Sequence, residues 1–228
     1  MNDERPSAAR AAVIRDGMAV GLATGAYGLS FGAISVAAGL SVLQTCALSL
    51  LMFTGASQFA LVGVLANGGN PAAGAASAIL LGTRNALYGL RLSSLLDAAG
   101  WRRLPAAQLV IDESTAMAIG QETTALARVG FWATGAGVYV FWNLGTLLGA
   151  VGARAISDPK VLGLDAAVPA AFLALLAPRI DGRGPLAVAL LAALVALVAA
   201  PFVAAGVPVL LAALVAAAAG GRGRAGDR

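Results

Sequence analysis

Residues 52–60 read MFTGASQFA, inside one of the most apolar stretches of the chain. A helix that only had to fill lipid would take Leu, Ile and Val there, because hydrocarbon offers no partner to a hydroxyl or a carboxamide. Gly55, Ser57 and Gln58 therefore mark a candidate break in the helix. Their polar groups must face protein or a solute path.

The rest of the sequence sets the medium in which that break lies. Of 228 residues, 59% are apolar and 11% charged, against about a quarter charged in a soluble domain; the mean hydropathy is +0.84. Apolar runs recur along almost the whole length, so the fold class is all-α: a polytopic helical membrane protein. Candidate segments fall near 17–39, 42–66, 72–91, 105–121, 130–152, 165–178, 185–204 and 207–219, which gives six to eight membrane segments, some discontinuous or re-entrant. Alternating ten-residue strands, the mark of a barrel, do not occur. The expected layout is a cytoplasmic tail over 1–16, one membrane domain over 17–219 and a disordered tail over 220–228.

Composition also removes whole classes of chemistry. The chain has no histidine, and Cys46 is its one cysteine, so His-based zinc sites, Ser-His-Asp triads and multi-cysteine metal sites are excluded. No metal, cofactor or catalytic residue is expected. The net charge of +4 comes from Arg and Lys at segment ends. Such charge reports membrane topology rather than nucleic-acid binding.

The topology does not close at once. If every segment crosses, the link 91–103 with its three arginines falls outside, against the positive-inside rule. If 42–66 instead enters and returns on one side, that link becomes cytoplasmic. In the first segment Gly17, Gly21, Gly25, Gly28, Gly32 and Gly39 share about 80° of helical arc. Such a face packs closely against another helix or walls a solute path. Gly145, Gly149 and Gly152 repeat the device with Trp142 on the same face.

Ionisable residues inside membrane segments are functional candidates by default. Arg84 lies in LLGTRNALYGL, and Asp112 and Glu113 lie in QLVIDESTAMAIGQ. On a continuous helix Gln108, Asp112 and Thr115 would share a face. Arg84 lies about as far before the link 91–103 as Asp112 lies after it, so antiparallel neighbours would hold the two at similar depth. Burial in a low-dielectric medium favours the neutral form of a carboxyl group, which makes Asp112 and Glu113 candidates for carrying a coupling proton. No nucleophile accompanies them, so an enzyme is not expected. Breaks near Gly55 and near Pro169 leave room for an inverted repeat relating 42–91 to 162–204.

Five motifs then occur in order: FTGASQF at 53–59, TRNALYG at 83–89, DEST at 112–115, WNLGTLLG at 142–149 and LGLDAAVPAAF at 162–172. Together they resemble the AzlC family of branched-chain amino acid export proteins. The resemblance implies a multi-pass permease of the bacterial inner membrane. It would export branched-chain or similar neutral amino acids, working with membrane lipid and a small AzlD-type membrane subunit and without nucleic acid. From the residues themselves, the expected substrate region is Gly55, Ser57, Gln58 and Asn143, and the expected coupling or charge pair is Arg84 with Asp112 and Glu113. One stretch departs: the family's N-x-R-H is here Gly82-Thr83-Arg84-Asn85. The rival expectation is a channel-like pore or a non-transporting membrane scaffold subunit.

Overall fold

The computed structural model describes residues 4–154, 173, 176–177, 180–203 and 207–225. The sixth expected segment, the motif at 162–172 and the break near Pro169 lie outside them. Every regular element described is helical: α1 (Glu4–Ala37), α2 (Val42–Leu51), α3 (Gly55–Ala66), α4 (Pro71–Leu96), α5 (Arg103–Gln108), α6 (Asp112–Ile119), α7 (Thr124–Arg154), α8 (Arg183–Ala199) and α9 (Val207–Ala225). Residues 7–37 and α7 are long and apolar enough to cross a membrane. The N-terminal tail is helical from Glu4, and α9 extends to Ala225, because an alanine-rich run carries helix propensity past Gly220 and Gly221.

The glycine stripe is a packing device. Gly17 lies against Thr134, Gly21 against Gly137, Gly25 against Phe141, Gly28 against Trp142, and Gly32 against Thr146 and Ala150. Gly145 and Gly149 of α7 approach Gly25 and Leu29 in return. Both residue numbers rise together, so α1 and α7 run parallel. Gly39 does not belong to the stripe: at φ 96° it closes α1 in a turn, a conformation open to glycine at little cost.

Position along α7 then fixes the path of everything between. Ser49 Oγ donates to Thr146 Oγ1 (3.2 Å), and one step deeper Leu50 O accepts from Tyr139 Oη (3.3 Å). After the break at 52–54, Gly55 sits against Trp142, Ser57 faces Gly82, and Leu61 and Val64 face Gly74 near the start of α4. Helix α4 runs opposite to α7, since Arg128 Nε donates to Leu95 O (2.9 Å). Hence α3 climbs back to the end from which α2 descended, and α2–α3 is a re-entrant hairpin.

A second hairpin comes from the other end. Arg103 Nε donates to Ala98 O (3.0 Å); Leu109 then reaches Gly135 in the middle of α7, and Met117 is back at Gly130. The expected continuous segment 105–121 is therefore broken at 109–111, and Gln108, Asp112 and Thr115 do not share a helix face. A single re-entrant segment at 42–66 would leave α1 and α7 antiparallel. Two of them restore the parallel pair, with α4 returning between.

The hairpins meet tip to tip: Gln108 Nε2 donates to Leu50 O (2.8 Å). Each tip also staples its own broken backbone. Gln58, with no exposed surface, donates from Nε2 to Leu48 O (3.2 Å). Ser114 Oγ accepts from Ile111 N (3.2 Å) and donates to Leu109 O (2.5 Å). Broken backbone at membrane depth is tolerated only with such partners.

Packing makes a graded prediction. A Cβ at Gly32 or Gly149 would overlap the main chain of the facing helix, whereas one at Gly152 meets nothing within 4 Å. Gly32→Ala and Gly149→Ala should each cost about 1–3 kcal/mol in thermal unfolding in detergent. Gly152→Ala should leave the midpoint unchanged or raise it slightly.

Candidate functional site

The two tips bring their chemistry to one place. A cavity of about 300 Å³ is lined by Phe53, Thr54, Gly55, Ala56 and Phe59 of the first hairpin, and by Ile111, Asp112 and Glu113 of the second. Thr24 and Tyr27 of α1, Leu81 and Arg84 of α4, Val138 and Trp142 of α7, and Leu176 complete its wall. Such a volume stands at the lower end of the range for small-molecule sites. The wall has two parts: aromatic and aliphatic side chains on one side, and charged groups with two helix N-termini on the other.

Arg84 Nη2 and Asp112 Oδ2 pair at 3.0 Å, with side chains 26% and 21% exposed. The pair joins the middle of α4 to the first residue of α6. Asp112 and Glu113 both occupy the first turn of α6, where carboxylates oppose the positive end of the helix dipole. Helix α3 presents the other N-terminus to the cavity and has no acidic residue in its first turn and no side-chain cap.

An aromatic cluster holds the apolar side. Phe31 stacks on Trp142 at 6.1 Å between ring centroids, and Phe59 meets Phe31 and Trp142 edge-on at 5.7 and 6.2 Å. These three rings tie α1, α3 and α7 together beside the cavity. A Cβ at Gly55 would come 3.1 Å from the Trp142 ring, so glycine there keeps the tip of α3 close to the indole.

The candidate residues thus divide. Gly55, Arg84, Asp112 and Glu113 line the cavity together. Ser57 is buried beside Gly82, Gln58 staples the first hairpin, and Asn143 donates to Tyr139 O of its own helix (2.8 Å); none of these three lines the cavity. Asn85 is likewise absent from its wall. Sequence reasoning did not single out Thr54, Tyr27 or Ser114. A signal for Ser114 was present: two acidic residues just after Val-Ile are a helix-start pattern, which marks a break before Asp112.

The described residues, all-helical in their regular elements, with two apolar crossing-length helices and two broken hairpins around a partly polar cavity, are built as a membrane protein. The chain belongs to the AzlC family: the family's sequence model, described as AzlC protein, matches residues 19–156. That family is associated with branched-chain amino acid transport, and the match spans both hairpins and every lining residue except Leu176. No curated protein and no solved structure matches the chain.

The ion pair is open to a double-mutant test. Arg84→Gln or Asp112→Asn alone should lower stability by about 1–3 kcal/mol, less than for a fully buried pair because both groups keep some water. The double variant should be less destabilised than the sum of the two. Simple additivity in thermal unfolding would remove the pair from the account.

Proposed function

We propose that the protein is a multi-pass permease of the bacterial inner membrane that exports branched-chain or similar neutral amino acids. The observation that carries this reading is the divided cavity at the hairpin tips. An aliphatic side chain suits the wall of Tyr27, Phe53, Phe59, Leu81 and Trp142, and a zwitterionic head suits the charged side. Broken helices around a central site are a general transporter construction. Family membership supports the same substrate class.

The charge distribution supports a cytoplasmic N-terminus. From Gly17 to Thr83 the chain carries no charged residue. Arg10, Arg15, Arg91, Arg102, Arg103 and Arg128 all fall at the end where α1 and α7 begin, opposite Arg154. With that end inside, these six arginines obey the positive-inside rule. The first hairpin then dips from the periplasmic face, and the second from the cytoplasm.

Asp112 and Glu113 carry the coupling proton in this reading, with Arg84 holding the charge balance. A small AzlD-type subunit works beside the chain. Vesicles or cells loaded with labelled leucine, valine, isoleucine and methionine test the proposal. Efflux against a gradient is expected with the protein and its partner together. Equilibration alone would favour a pore, and no movement a scaffold. Asp112→Asn combined with Glu113→Gln should abolish the uphill component; intact uphill efflux at every pH would overturn the coupling role.

A further inference from the structure

Helices α4 and α6 border more than the central cavity. From the Arg84–Asp112 pair, both run toward the end where α1 and α7 begin. Further along, the same two helices open a second hollow. A cleft of about 360 Å³ is lined there by Arg91, Ser94 and Leu95 of α4, by Ala118 and Ile119 of α6, and by the turn that holds Glu122. Its volume is again that of a small-molecule site. Arg91 and Glu122 give the wall one charge of each sign, and both side chains are exposed.

The two hollows sit on one seam. By helical periodicity Leu81, Arg84, Tyr88, Arg91 and Leu95 form one stripe on α4, and Asp112, Thr115 and Ile119 form another on α6. Each stripe lines the cavity with its first residues and the cleft with its last. Tyr88 and Thr115 lie between and line neither. Thr115 is only 5% exposed, and Tyr88 packs on the core cluster that includes Leu92 and Ala118. The seam is therefore shut over one to two turns of helix, roughly 5–10 Å. Its closure leaves polar atoms without partners: Arg84 Nε, Asn85 Oδ1 and Thr115 Oγ1 are buried and make no hydrogen bond among the described residues. Buried groups in that state cost free energy, and water reaching them from the cleft would remove the cost.

We propose that this cleft is the cytoplasmic entrance of the transport path, and that Tyr88 and Thr115 form the constriction between it and the central cavity. The inference rests on the reading of the protein as an amino-acid exporter with a cytoplasmic N-terminus, and it adds the route by which a zwitterion reaches the site. Arg91 and Glu122 meet its two charges at the mouth. Passage along the seam, past Asn85 and Thr115, exchanges them for Arg84 and Asp112 at the inner end. The seam lies on the α4 side of the second hairpin, away from the contacts of Leu109 and Met117 with α7.

Thiol chemistry follows the route. In a Cys46→Ser background, Ser94→Cys places a thiol on the cleft wall and Thr115→Cys places one in the constriction, each with little change of side-chain volume. A membrane-impermeant methanethiosulfonate carrying a sulfonate is applied to intact cells and to inside-out vesicles. Uptake of labelled leucine into the vesicles, the equivalent of export, is measured before and after. Both variants should react in inside-out vesicles and neither in intact cells. Thr115→Cys should react at least about tenfold more slowly than Ser94→Cys, because its thiol is reached only when the seam opens. Modification at either position should abolish leucine uptake. Ser94 is exposed, so Ser94→Cys decides if Thr115→Cys does not fold. Reaction of Thr115→Cys from the periplasm alone, no reaction from either face, or unchanged uptake after either thiol is modified would overturn the entrance while leaving the exporter standing. No leucine uptake by the unmodified protein with its partner would overturn both.

Discussion

Unpaired backbone in a low-dielectric interior is the constraint on which this structure turns. Two helices end halfway through the molecule, at Leu51 and Gln108, and two others begin there, at Gly55 and Asp112. Each unsatisfied group at such depth costs several kcal/mol, so both tips need buried polar partners. Gln58 and Ser114 supply them within each hairpin, and Gln108 supplies one between the hairpins. The parallel pair of α1 and α7, brought together by glycine, is the rigid wall against which both tips rest. Without that close approach the cavity would have no back.

The same constraint creates the site. Satisfying a broken helix leaves its N-terminal amides and dipole directed at the gap, and the gap is where Arg84, Asp112, Glu113, Thr54 and Trp142 converge. Charge is placed asymmetrically, with carboxylates on one helix end and none on the other. The hairpins also reach the site from opposite ends of the molecule, so each one stands between the cavity and a different face.

How much of this was legible in the sequence depends on the kind of signal. Gly55 showed the first break because glycine and polar residues are conspicuous among Leu and Phe. The second break, at Leu109-Val110-Ile111, carries no glycine or proline and looks like ordinary apolar helix; only the acidic start of α6 betrays it. The depth match of Arg84 and Asp112 follows from counting residues on either side of a charged link, and the pair lies at 3.0 Å, although Asp112 tops a half-helix and not the middle of a full one. Ser57, Gln58 and Asn143 illustrate the opposite case. A polar side chain in an apolar run signals a need for a partner, but sequence does not say whether that partner is a ligand or the chain's own backbone. For the amide nitrogens of Gln58 and Asn143 it is backbone, at Leu48 and Tyr139.

The central claim is that both broken segments return to the face they came from, and cysteine accessibility tests it most directly. In a Cys46→Ser background, single cysteines replace Ala37 and Asn67, which flank the first hairpin, and Asp97 and Glu122, which flank the second. A membrane-impermeant thiol reagent is applied to intact cells and then to permeabilised ones. The account predicts labelling at 37 and 67 in intact cells, and at 97 and 122 only after permeabilisation. Labelling of 37 and 67 from opposite faces, or of 97 and 122 from opposite faces, would contradict it.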